Sequence, residues 1–419
     1  MIENPEERKR QRMQEKAKRQ AAQRNLIIRL AIAAAVVVIL GIVILVVALS
    51  AGSKNGPAPT EPSIITQASQ PEEAQPDTSV IHFAATGDLN ITQRVVASGG
   101  AEYDFSKTFM DIAPLLASAD LATVNLEGDL SGAPYGSNGT APQTMAQALH
   151  RAGVDMIQLA NSYAVNRGIS GLISTIDSIR QTGMEPVGVF KDEAEFDDKQ
   201  GFSMFEVQGV RIAVVAFTKG MARSAGLPPG NENCVNTLYS DYRTYQNIDK
   251  EKIENIMKSV EEQEPDITIA LLHWGSEWND SISKSQESIC KLLQEYGTDA
   301  IIGTHPHYLH KIDYNAENGT LVAYSLGDFI GDATESGTEY SIILDVEITK
   351  DNTTGEASIT GYSYTPIFTV TEKDKPIRVV RIHEAIAAYE SGYMDAVSQE
   401  TYEDMKYALT RIEQRIAGN

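Results

Sequence analysis

Five stretches of the chain share one pattern, an apolar run that closes on a polar residue. They are I-H-F-A-A-T-G-D (81–88), D-L-A-T-V-N-L-E (120–127), V-D-M-I-Q-L-A-N (154–161), D-I-T-I-A-L-L-H-W-G (266–275) and D-A-I-I-G-T-H-P-H (299–307). Short apolar runs of this kind predict strands buried on both faces. Between them the apolar spacing turns helical, over 142–152, 169–182, 249–263 and 284–297. Strands alternating with helices predict an α/β domain with a largely parallel sheet. F-E-V-Q-G-V-R-I-A-V-V-A-F (205–217) departs from this, because Gln208-Gly209 between two apolar halves predicts a hairpin. Residues 321–348 and 356–370 also read as strands, so antiparallel pieces join late in the chain. The tail from about Arg381 reads as amphipathic helix packed on the domain, and no internal repeat is present.

Ahead of this pattern lies an uncharged apolar run of 22 residues, Leu30 to Ala51. A helix of about 20 apolar residues crosses a bilayer core. A signal-peptide apolar region is shorter, roughly 7–15 residues, so the run is expected to stay attached as an anchor. Residues 1–29 carry nine Lys/Arg against four Glu and should remain cytoplasmic, which places everything after the span outside. No Cys lies near the run, which excludes a lipoprotein anchor. Residues 52–79 hold five Pro, four Ser and three Thr and read as an extended linker. The expected order is therefore a basic segment (1–29), a membrane span (30–51), a linker (52–79), an α/β domain (80–372) and a helical extension (373–419).

Charge sharpens this picture. The chain carries −22 in all and +5 over residues 1–29, leaving −27 on the remainder. So acidic a domain repels nucleic acid, and repels an anionic polymer too unless a bound cation inverts the local field. Cys234 and Cys290 fit either one bridge or two buried thiols.

The residues closing the five runs are Asp88, Glu127, Asn161, His273, and His305 with His307. In α/β sheets ligands bind beyond the carboxyl ends of the strands, so these residues are expected to converge. Taken singly, Asp88 could cap a helix, Glu127 could be a surface charge and His273 a satisfied structural histidine. H-P-H is different, since Pro306 fixes the backbone between two imidazoles that need partners. Imidazole with carboxylate suits a divalent Zn, Mn or Fe. His82, His150, His310 and His383 lie on a strand, at a helix end or in the tail and are read as structural.

Six motifs in order carry a resemblance: G-D at 87–88 with Arg94, V-N-L-E at 124–127, L-A-N at 159–161 with Gly168, H-W-G-S-E at 273–277, H-P-H at 305–307 and Y-S-L-G-D-F at 324–329. From about residue 81 to 370 the chain resembles the capsule-synthesis protein A family, poly-γ-glutamate biosynthesis proteins of the bacterial envelope. That family is similar to calcineurin-like metallophosphoesterases, αββα sandwiches with a two-metal centre. The resemblance implies that Asp88 and His307 hold one divalent ion, that His273 and His305 hold the other, and that Glu127 bridges them. Two such ions, roughly 3.5–4 Å apart, activate a water and clamp the oxygens of a tetrahedral centre. It further implies that Arg94, Asn125 and Asn161 orient substrate or the ligands, with Trp274 on the substrate side.

The chain departs from the family pattern in one region. Where the family reads L-A-N-N-H, this chain has Ser162-Tyr163 after Asn161, followed by Asn166 in place of an Asp, and L-G-D-F with Asp328 in place of L-G-N-F. The replaced His is the family's proton donor. Tyr163 takes its place, and a phenol with an ordinary pKa near 10 is less suited to proton transfer at neutral pH. Two readings follow. One is a membrane-anchored, outward-facing protein with a metallophosphatase-like and partly degenerate site, a candidate metal-dependent hydrolase, acting in the making or anchoring of an anionic polymer such as poly-γ-glutamate. The other is a scaffold on the same fold that binds polymer or synthase subunits without chemistry.

Overall fold

The computed structural model describes residues 77–221, 227–241, 244–394 and 396–418. The expected basic segment, the span 30–51 and nearly all of the linker 52–79 lie outside the described residues. Among those described, no helix is long and apolar enough to cross a membrane. Contacts divide the chain into two units. The described part of the smaller one is Asp77–Thr78 with the turn Asp351–Glu356, where the Asn352 N–H donates to the Asp77 carbonyl at 3.0 Å. The larger unit, Ser79–Lys350 with Ala357–Asn419, contains the site.

Fourteen strands form two sheets of a mixed α/β fold among the described residues. The strands are β1 (Thr78–Asn90), β2 (Leu121–Glu127), β3 (Met156–Gln158), β4 (Glu185–Val187), β5 (Phe202–Val207), β6 (Val210–Thr218), β7 (Ile267–His273), β8 (Ala300–Thr304), β9 (Ile312–Asn315), β10 (Thr320–Ala323), β11 (Asp328–Ile330), β12 (Tyr340–Asp351), β13 (Ala357–Val370) and β14 (Arg378–Arg381). The eight-stranded sheet runs β14-β13-β12-β1-β2-β3-β4, with β11 also paired to β1. The six-stranded sheet runs β5-β6-β7-β8-β10-β9. β1 to β4 are parallel, as are β6, β7 and β8, while β5–β6 and β12–β13–β14 are antiparallel.

The strand period explains the layering. Along β7, Ile267, Ile269 and Leu271 join the large core that includes β1 and β2, while Ala270 and Leu272 face a second core with Trp274. That second core is closed by the helices Lys250–Glu262 and Lys284–Glu295. In the first helix Ile253, Ile256, Met257 and Val260 are buried, spaced as one face of a 3.6-residue helix. Asp249 caps it by accepting from the Lys252 N–H at 3.1 Å. A cap contributes about 1 kcal/mol, whereas each buried side chain contributes about 1.5–3 kcal/mol. The apolar face therefore decides where this helix lies.

The expected hairpin forms between β5 and β6, with Gln208 and Gly209 at φ 48° and 75° as a tight primed turn requires. The tail turns helical at Ile382, as expected from about Arg381, but a strand comes first within the extension expected over 373–419. Arg378–Arg381 pairs with β13 as a strand before the helices Ile382–Glu390 and Gln399–Ile416 follow. Met405, Ala408, Ile412 and Ile416 bury one face of the last helix. Cys234 and Cys290 are both free and buried.

Candidate metal centre

Strand ends from both sheets meet at one place. Asp88 stands on β1, Glu127 ends β2, His273 ends β7, and His305 and His307 follow β8 at once. Register sets the heights: Asp88 lies beside Asn125, Asn90 beside Glu127, and His273 beside Thr304. A bulge between Ala85 and Asp88 shifts the β1–β2 register just before the site. All five expected ligands are buried, from 0% exposed at Asp88 and His273 to 8% at His307.

Their donor atoms form linked groups. Glu127, His273 and His305 have ligand atoms all within 4.8 Å of one another, and so do Asp88, His307 and Asp328. The Glu127 carboxylate is 2.5 Å from His273 Nε2, and the Asp328 carboxylate is 2.7 Å from His307 Nδ1. The His305 backbone N–H donates to Asp88 Oδ2 at 2.9 Å and ties the two groups together. His305 and His307 sit at φ 93° and 61°, in the left-handed region that non-glycine residues avoid. Such backbone costs about 1–3 kcal/mol per residue and persists where neighbours fix it. Here the bond to Asp88 fixes one side, and the Trp278 N–H donating to the Pro306 carbonyl at 3.0 Å fixes the other.

Burial governs the protons. It pushes Glu127 up to about 7, and with the Glu127 charge it pushes Asp88 up to about 7. Burial holds His273 down to about 3 and His305 well below the usual imidazole range. At His307 burial opposes the charged form, but the hydrogen bond and charge of Asp328, with Glu127 and Asp88, carry it up to about 11. Burial thus favours the neutral, metal-ligating form of His273 and His305, whereas His307 would have to give up its proton to a cation.

The donor set fits a divalent cation. Three carboxylates and three imidazoles are buried together, and among the described residues the buried His305 Nδ1 has no hydrogen-bond partner. A buried polar atom left this way is costly unless a ligand takes it.

The other expected site residues fall in different places. Asn125 and Asn161 are 1% and 0% exposed and form a relay behind the ligands. Asn125 Nδ2 donates to Asp88 Oδ1 at 2.6 Å, and Asn161 Nδ2 donates to Asn125 Oδ1 at 2.9 Å and to the Leu126 carbonyl at 2.7 Å. They hold the Asp88 carboxylate and, being buried, offer no surface to substrate. Trp274 is 1% exposed, on the opposite face of β7 from His273, with its indole N–H donating to the Tyr324 carbonyl at 2.9 Å. It is core, and the expected substrate contact is not present there. The Arg94 guanidinium donates to the Thr371 carbonyl and carries no bond to the cluster. Tyr163 is half-buried, its N–H donating to Asn161 Oδ1 at 2.9 Å and its ring lying against Gly139. Nearby, Asn166 donates to Asp129 Oδ2 at 3.0 Å and so holds the 129–140 loop.

Two acids beyond the expected ligands reach the cluster. Asp328 is 6% exposed and paired with His307, and Glu277 lies with His305 and His307 in a third group of mutually close donors. Both stand in motifs visible in the sequence, L-G-D-F and H-W-G-S-E.

The sequence profile described as bacterial capsule synthesis protein PGA_cap matches residues 82–333 and spans every residue of the cluster. The chain belongs to this family. It is 25% identical over 270 residues to capsule biosynthesis protein CapA of Bacillus anthracis, covering 62% of this chain and 61% of that protein. It is 28% identical over 209 residues to PGA biosynthesis protein CapA of Bacillus subtilis strain 168, covering 49% of this chain and 50% of that protein. The match thus spans less than two thirds of either relative. A solved phosphatase from Mycoplasma pneumoniae is similar at 14% identity with a TM-score of 0.43, over 70% of this chain and 94% of that one.

Proposed function

We propose that this member of the PGA_cap family is membrane-anchored through residues 30–51, faces outward, and acts in making or anchoring an anionic envelope polymer such as poly-γ-glutamate. Its centre, on a calcineurin-like αββα metallophosphatase plan, takes one or two divalent ions, Mn, Fe or Zn. The observation that carries this reading is the convergence of Asp88, Glu127, His273, His305 and His307 from four strand ends in two sheets. A bound cation would supply Lewis acidity and positive charge in a chain that carries −27 outside its basic segment. The chain's own groups do the rest. Asn161 and Asn125 hold Asp88, the strained H-P-H backbone holds two imidazoles, and burial disfavours protonation of His273 and His305. The anchor has its own test. Ser63→Cys in the linker should be labelled by a membrane-impermeant thiol reagent in intact cells, and labelling only after lysis would refute an outward-facing domain.

Ser162-Tyr163 favours a second reading, a centre that binds without turnover. General acid catalysis contributes about 10²–10⁴-fold, and a phenol is a poor donor at neutral pH. The full chain should therefore hydrolyse generic phosphodiesters far below an ordinary enzyme rate of about 1–10³ per second. The double variant Ser162→Asn with Tyr163→His should raise bound metal and turnover more than either single change, since such groups act as a unit. A screen of phosphodiester and γ-glutamyl hydrolysis, run with elemental analysis, checks both. Wild-type turnover at an ordinary rate establishes the hydrolase and removes the scaffold. If Tyr163 instead donates to a reacting oxygen, Tyr163→Phe abolishes that turnover.

A further inference from the structure

We propose that Glu277 is a solvent-side ligand of the cation held by His305 and His307. The inference rests on the metal reading of the centre and adds a residue to it. Three observations carry it. The Glu277 carboxylate and the donor atoms of His305 and His307 lie within 4.8 Å of one another. The segment that bears Glu277 is pinned on both sides: the Gly275 carbonyl accepts the Lys219 ammonium at 2.6 Å, and the Trp278 N–H donates to the Pro306 carbonyl at 3.0 Å. The third is His305 Nδ1, buried with no hydrogen-bond partner among the described residues, on a side chain that belongs to this group and to the Glu127 group.

The local geometry explains why the acid points this way. β7 ends at His273, Trp274 enters the second core, and Gly275 takes a left-handed φ of 76°. Trp278 sits at φ 52° with its indole stacked on the His307 ring, centroids 6.1 Å apart and planes at 28°. Glu277 is thereby held one residue from a ring that contacts a ligand imidazole, while remaining exposed to solvent. Among the described residues its carboxylate makes no hydrogen bond or ion pair. One carboxylate oxygen with two imidazole nitrogens is a donor set for Zn, Mn or Fe. Because Glu277 shares one imidazole with each of the two buried groups, a cation on it is part of the same centre.

The test uses the purified full chain, stripped of metal with a chelator and titrated with Co²⁺, followed by calorimetry and visible absorption. Glu277→Gln should weaken Co²⁺ binding by at least about tenfold and shift the cobalt bands, because a donor atom is lost. Glu287→Gln, which removes an exposed acid from the helix Lys284–Glu295, should change neither. Two results overturn the inference: Glu277→Gln indistinguishable from wild type, or equal weakening in both variants with the cobalt bands unmoved, which is a long-range charge effect. Glu127→Ala keeps the layers apart. If it abolishes binding while Glu277→Gln matches wild type, the centre stands and Glu277 is not a ligand. If the wild-type chain takes up no cobalt, the centre and the inference fall together.

Discussion

Purified full chain carrying Glu127→Ala should hold less than about one tenth of the metal bound by wild type. Glu127 is 4% exposed and its Oε1 lies 2.5 Å from His273 Nε2, in the group that also contains His305. Removing it leaves that group with two imidazoles and no carboxylate of its own to balance a divalent ion. Metal binding is coupled to the charge state of its ligands, so the lost carboxylate is felt in affinity directly. The contrast is a carboxylate–imidazole pair without a cluster. His82 Nδ1 lies 2.9 Å from Asp345 Oδ2, but the two side chains are 43% and 31% exposed. Such surface pairs contribute about 0–1 kcal/mol, so Asp345→Ala should leave metal content unchanged. Elemental analysis of wild type and both variants decides the matter. Equal metal in Glu127→Ala, or none in wild type, refutes the ligand assignment.

The strands that were legible in the sequence are the buried ones. In β2 and β7 every residue is buried, so continuous apolar runs betray them and the closing polar residue marks the site end. The hairpin was legible because Gln208-Gly209 accepts the backbone its turn demands. β14 was not: R-V-V-R is four residues with charged ends, too short for any period, and its pairing comes from β13. β9 and the four-residue helices Ser106–Phe109 and Ala113–Leu116 were missed for the same reason. Tertiary partners define them.

In the site, the convergence of the five expected residues was legible because each lies at or just beyond the end of a strand, whereas the residues around them depend on facing. Trp274 adjoins His273 in sequence and therefore points to the opposite face of the sheet, into the core with Tyr324. Asn125 and Asn161 lie near the ligands, yet burial makes them supports for Asp88. Asp328 read as a departure from a family pattern. In the fold it pairs with β1 in register with Asp88 and meets His307, so the change from amide to carboxylate adds a charge to the cluster. Neither pairing follows from spacing along the chain.

Gly87→Ala should unfold the domain at markedly lower denaturant, with a loss of about 3 kcal/mol or more, the upper end for overpacking a core. The Asp88 N–H donates to the Gly327 carbonyl at 3.0 Å, which brings two backbones into contact beside the site. A Cβ at residue 87 would sit 1.8 Å from Gly327 O and 2.8 Å from its carbonyl carbon. Backbone cannot rotate away as a flexible side chain does, so β1 and the L-G-D-F segment must separate. Those segments carry Asp88 and Asp328, which both lie near His307. The same substitution should therefore lower stability and metal content together. Gly361→Ala is the matched control, since a Cβ there meets nothing within 4 Å and the residue lies in β13 without positive φ. It should stay within about 0.5 kcal/mol of wild type, as surface changes do. Chemical denaturation of the three proteins reads the effect as a shift in midpoint at constant slope. A midpoint for Gly87→Ala equal to that of Gly361→Ala would show that β1 and Gly327 are not in the contact that builds this site.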